Sequence, residues 1–414
     1  MKINKTNHLV LTIILCLNAI IILFPSNFKF IPVLALLLFS CYYFFKNKNK
    51  GSVFFVFASI PYLLLILGML FTDNISNGFK SLETGSSLLI YPLCFALLPK
   101  NIIRWQIDNR LNYILGSFCF ATFIFTSFVF LYFKIFEERS LTYIIQHNNI
   151  LTNLSIHPKY RIHPIYLALN VGLSLIFSFF IVKKIKNIIL KIITFVFIVY
   201  TVLLIAIINK RMAIIALLMV GLIYIIVELK KIKKKKLTLV YYVVIFTAIV
   251  LGVVFLPRYK NQNSFHEFNH IVSTINNPET SIGKRVFLYK SVFNLFIKNP
   301  LLGVGTGDAN IILSDDLANQ LQKETEIYNS HNQYLSYLIS LGLFGFVIFI
   351  SYIIYIFKIA LIKNDILLLC IFVFLCLNMM SENILERESG VLVYAFFINF
   401  LLRANWNLKN KLIK

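Results

Sequence analysis

Long apolar runs separated by short polar clusters recur along all 414 residues of the chain. A helix needs about 20 residues to cross a hydrocarbon core of about 30 Å. Twelve runs approach that length, near residues 8–25, 28–45, 52–71, 85–99, 111–133, 164–182, 188–208, 211–228, 237–256, 332–357, 365–380 and 389–402. The shorter ones are accommodated by tilt or local thinning of the bilayer. Lys2 and Lys5 precede the first run as they would in a signal peptide, but no small-residue cleavage site follows and a second run starts almost at once, so it reads as a retained span. The pattern predicts an all-α polytopic membrane protein of about twelve helices, organised as one integral membrane domain over residues 1–414.

Composition agrees, with 59% hydrophobic and only 14% charged residues, and it excludes a water-soluble enzyme. The 40 Lys and Arg against 17 Asp and Glu give a net charge of +23, which in a soluble domain would suggest nucleic acid. With the N-terminus in the cytoplasm, 24 of the 40 basic residues but only 3 of the 17 acids fall on the inner side. The positive-inside rule then predicts N-in, C-in, and the run Lys230, Lys231, Lys233 to Lys236 becomes an anchor against anionic lipid, with no nucleic acid implied. All six cysteines fall inside predicted spans, so no outer-loop disulfide is expected.

This topology puts the informative sequence outside. The cytoplasmic connections are short, whereas residues 257–331 form a large extracytoplasmic loop between spans nine and ten, and residues 134–163 a smaller one. Val286, Tyr289, Val292, Phe293, Phe296 and Ile297 have helical spacing from Ser281 to Asn299, ended by Pro300 and Gly303. Asp308 can cap a second helix carrying Ile312, Leu313, Leu317 and Leu321. Two helices lying on the outer surface are expected. The turn Gly303-Val304-Gly305-Thr306-Gly307-Asp308 follows no strand and reads as a tight turn, not a nucleotide loop. Glu382 and Glu386, at i and i+4 beside Arg387, read as a structural ion-pair cluster in preference to a glycosidase pair with Glu388. No metal-ligand spacing and no internal repeat is visible, and neither metal nor cofactor is expected.

Asn209-Lys210-Arg211 is the whole connection between two spans on the side where cations are disfavoured. A snorkelling charge explains Lys210 as well as a ligand role does, and Arg211 less well. Lys284 and Arg285 open the amphipathic loop helix, either as a solvated face or, for Arg285, as a planar fork for two phosphate oxygens. His331 stands at the N-terminal turn of a span, where the positive helix end favours a neutral imidazole suited to a general base, though a lone His there is more often just a polar helix end.

In order, Asn209-Lys210-Arg211, Gly283 to Ser291, Asn299 to Asp308, His331-Asn332-Gln333-Tyr334-Leu335 and Gly342-Leu343-Phe344-Gly345 resemble the O-antigen ligase and polymerase family, joined by His163-Pro164-Ile165-Tyr166 and by Glu382 to Gly390. The resemblance is strong from about residue 160 to 350; before 130 only the span pattern matches. It implies a membrane glycosyltransferase of GT-C type on the periplasmic face of a bacterial inner membrane. Such an enzyme moves a glycan from undecaprenyl diphosphate to lipid A core, to another glycan, or to protein as in the O-oligosaccharyltransferases. Carried over, the diphosphate-binding arginines are Arg211 and Arg285 and the base is His331. Lys210, Lys284, Arg161, His163 and Tyr166 are candidates for substrate contact or support. Tyr289 and Val292 stand where the family often has Trp and Ala, at packing positions. The competing class, a glycolipid flippase or small-solute transporter, calls for charges at mid-membrane depth, and the mid-span positions are almost entirely apolar.

Overall fold

The computed structural model describes residues 5–24, 26–47, 52–140, 143, 162–231, 275–277, 280–322 and 327–406. Among these every regular element is helical: α1 (Lys5–Ile21), α2 (Ser26–Asn47), α3 (Ser52–Ala58), α4 (Ile60–Met69), α5 (Ile75–Gly85), α6 (Ser87–Leu97), α7 (Lys100–Ile135), α8 (Pro164–Lys184), α9 (Ile188–Ile208), α10 (Arg211–Lys231), α11 (Ser281–Lys298), α12 (Ala309–Leu321), α13 (Gln333–Ile362), α14 (Ile366–Asn378), α15 (Glu388–Val393) and α16 (Asn399–Asn405). A 3₁₀ turn at Ile384–Glu386 precedes α15, and a π-turn at Tyr394–Ile398 joins α15 to α16.

These helices coincide with eleven of the twelve apolar runs; the run at 237–256 lies outside the described residues. By length and composition, five helices among the described residues suffice to cross a membrane singly, or six if α3 and α4 form one bent span. Shorter apolar helices account for further runs. The run at 52–71 is not one straight helix: α3 and α4 meet at 63°. Pro61 sits in the first turn of α4, where its missing N–H costs nothing, so the helix restarts there instead of continuing.

A helix that is apolar all round belongs in a core. Residues 390–406, covering α15 to α16, are buried nearly throughout and pack against α6, α7, α13 and α14. By contrast, α2 exposes Phe28, Phe30, Ile31 and Leu38, and α9 exposes Ile188, Ile189, Ile193 and Val196, surfaces suited to lipid. All six cysteines are free thiols.

The two ends of the bundle differ. At one, the Arg403 guanidinium donates to the carbonyls of Ala96 (3.5 Å) and Leu98 (3.2 Å), and Asn405 donates to Asp365. At the other, the loop helices join the bundle. α11 and α12 pack through Leu288, Val292, Leu295, Leu313 and Leu317 against Ile339. The inward stripe of α11 is therefore rotated from the expected one, and Phe293 and Ile297 face outward.

Asp308 does not cap α12. Its carboxylate instead accepts the backbone N–H groups of Asp73 (2.7 Å) and Asn74 (3.0 Å), clamping the turn before α5. The Gly-rich turn is a packing device. Val304 and Gly305 donate to Ile339 and Ser340, and Thr306 donates to Gly68. Gly303 and Gly342 both take left-handed backbone (φ +70° and +61°), and a Cβ at Gly342 would lie 2.4 Å from the Leu301 carbonyl. That approach breaks α13 in two at Gly342, and the freed Leu343 N–H donates to Pro300 (2.8 Å).

Candidate active site

The polar triplet Ser381-Glu382-Asn383 interrupts two apolar helices, and the chain turns back through residues 379–388 at the same end as the loop helices. Asn383 organises this hairpin. Its Oδ1 accepts the Asn332 N–H (2.8 Å) and the Ser330 hydroxyl (3.3 Å), and its Nδ2 donates to Glu386 (2.8 Å). Asn332 caps α13 by accepting the N–H groups of Tyr334 and Leu335, and the Gln333 N–H donates to the Met379 carbonyl (2.8 Å). Between these ties His331 is held at φ +46°, a left-handed conformation a histidine adopts only when its surroundings impose it.

The result places His331 Nδ1 3.3 Å from Glu382 Oε2, with the His331 side chain 32% exposed and Glu382 3% exposed. A carboxylate only accepts, so it favours the proton on Nδ1 and leaves Nε2 to accept. The expected ion-pair cluster of Glu382 and Glu386 with Arg387 therefore gives way to separate partners. The segment between them is a 3₁₀ turn, not an α-helix, and the glutamates diverge. Glu382 meets His331, Glu386 accepts from Gln333, Ser336 and Asn383, and Glu388 meets Lys29 (3.3 Å). Burial raises the Glu386 pKa, which those three donors partly offset.

Cations gather on this hairpin. Thr280 caps α11 by accepting the Gly283 N–H, which brings Arg285 over the hairpin, where Nη2 donates to the Ser381 carbonyl (3.4 Å). Lys210, half-buried in the turn between α9 and α10, has its pKa lowered by burial and by Arg285, with Glu382 opposing. Arg211 opens α10 beside it and is exposed. The His163 pKa is lowered by the protein around it, then raised by Glu382 and lowered by Arg387, Lys210 and His331, so it shares this field although its ring reaches the surface. The Lys284 ammonium lies 3.8 Å from the centre of the Tyr328 ring. Tyr166 is buried and its hydroxyl donates to the Asn383 carbonyl (3.2 Å), a supporting position under the hairpin. Arg161 lies outside the described residues.

Residues 196–350 match the family model described as O-antigen ligase. That stretch is similar to the O-antigen ligase family. No curated protein matches the chain. The similarity supports a membrane glycosyltransferase of ligase or polymerase type acting on glycan and lipid-linked substrates. The O-antigen ligase match contains Arg211, Arg285 and His331 but ends before the hairpin, so the match alone does not reach Glu382 or Asn383. Only the fold brings them to His331; the sequence signal is a polar triplet between two unbroken apolar runs.

Proposed function

We propose that the protein transfers a glycan from undecaprenyl diphosphate to an acceptor hydroxyl, that of lipid A core first, at the periplasmic face of a bacterial inner membrane. The observation that supports this most is the convergence on one hairpin of a carboxylate-backed histidine and a cluster of cations. A glycosyl diphosphate carries its own leaving group, so the protein has two tasks: to hold the departing negative charge and to accept one proton. Arg285 and Arg211, with Lys210 beside them, hold the diphosphate. His331 Nε2 takes the acceptor proton while the acceptor oxygen bonds to the anomeric carbon. The bond from that carbon to the diphosphate oxygen breaks on the opposite side, which inverts the configuration and releases undecaprenyl diphosphate. Glu382 orients the imidazole and stabilises the imidazolium that forms. The same chemistry serves a polysaccharide polymerase or a protein O-oligosaccharyltransferase, which differ in the acceptor.

The test is the glycan on carrier and on surface glycolipid in cells lacking the protein, complemented with wild type or with Arg211→Ala, Arg285→Ala or His331→Ala. Long polymer stranded on undecaprenyl diphosphate above a bare lipid A core is the expected result. Acceptor carrying a single repeat would reassign the protein as a polymerase. Full complementation by inserted Arg285→Ala or His331→Ala would overturn the site.

A further inference from the structure

Beside the hairpin lies a cavity of about 500 Å³, within the range of small-ligand sites. Its walls come from α5, from the start of α12, from the segment leading into α13 and from the hairpin. Lys210, Arg211, Arg285 and His163 do not line it, so it is separate from the proposed diphosphate position. Yet it adjoins the reacting histidine through the backbone. Asn329 and Gln333, two residues to either side of His331, form part of its wall, and so does Glu386, whose network runs through Asn383 to Asn332.

The lining states what fits. Lys80 and Arg387 stand against Glu386 and Glu388, so the wall carries no excess of positive charge with which to hold a polyanion. Amides, hydroxyls and the rings of Tyr328 and Tyr337 line much of the rest beside Leu65, Ile327 and Leu385, a mixed wall whose polar groups a polyprenyl chain would leave unpaired. Donors and acceptors of both kinds beside aromatic and aliphatic surface suit the hydroxyls and apolar ring face of a sugar. The donor sugar is tethered to the diphosphate among the cations, which leaves this second compartment to the other glycan.

We infer that this cavity binds the terminal sugar of the acceptor, presenting its hydroxyl toward His331. The inference rests on the proposed transfer. The experiment uses the full-length protein in nanodiscs with lipid-linked glycan as donor and, as acceptor, either rough lipopolysaccharide or a single repeat on undecaprenyl diphosphate. Lys80→Ala and Asn310→Ala remove two polar walls of the cavity. Each is expected to raise the acceptor KM about tenfold, with kcat and donor KM held within twofold. Unchanged acceptor KM in both variants overturns the inference while leaving the transfer reading intact. A change in donor KM in place of acceptor KM assigns the cavity to the donor glycan and equally overturns it. No turnover by wild type with either acceptor sinks the transfer reading and the inference with it. Lys80 is exposed, so Lys80→Ala decides the matter if Asn310→Ala fails to fold.

Discussion

Arg403 and Arg285 both donate to backbone carbonyls, at opposite ends of the bundle. Arg403 is 6% exposed, held by the Ala96 and Leu98 carbonyls and set over the Phe54 ring (5.1 Å). Arg285 is only partly buried, with one long bond to Ser381, beside a carboxylate-backed histidine and a second cation. Residue type does not distinguish a structural cation from the one proposed to hold the diphosphate. What distinguishes them is how deeply the protein has buried the guanidinium and so excluded a ligand.

The sharpest way to break this comparison is at the end that carries His331. His331→Ala is expected to lower kcat by about 10²–10⁴-fold, with membrane insertion unaffected, as read by transfer per inserted molecule. Arg285→Ala is expected to cost about 10²–10³-fold in transfer with little change in thermal unfolding, whereas Arg403→Ala should do the reverse. It strands two buried carbonyls and lowers stability by about 1–3 kcal/mol, while the protein that remains folded transfers normally. Equal loss of activity per folded molecule in both variants would erase the distinction.

Asp308→Ala removes the acceptor of two backbone N–H groups and should destabilise the site end by about 2 kcal/mol, seen as earlier proteolysis of the loop helices while α1 to α3 stay protected. The smallest effect concerns pH. Burial raises the Glu386 pKa above its ordinary 4.5, so the folded protein binds this proton more tightly than the unfolded chain does. The associated stability is present below the ordinary value and is lost as pH rises through the raised one. Unfolding midpoints of wild type should fall across that window, and Glu386→Gln should flatten the slope.

Much of this bundle was legible as apolar runs, because lipid demands them irrespective of tertiary contacts. The break at Gly342 was not, since its left-handed backbone answers to Leu301, far away in sequence. Asp308 misled for the same reason: a helix cap is a local interaction, and the Asp73 and Asn74 N–H groups outbid it from more than two hundred residues away. At the site, the arginines and His331 were named through family resemblance. Glu382 was assigned the neighbour that helical spacing provides, and only the hairpin turns it toward the histidine.

The most enclosed helical segment, residues 390–406, leaves the ribosome after every other described helix. Until it is made, its neighbours α6, α7, α13 and α14 lack a surface they pack against in the finished fold. The hairpin carrying Glu382 comes just ahead of this segment, so a chain cut short before residue 382 keeps His331 but lacks both the carboxylate that meets it and the core segment that follows.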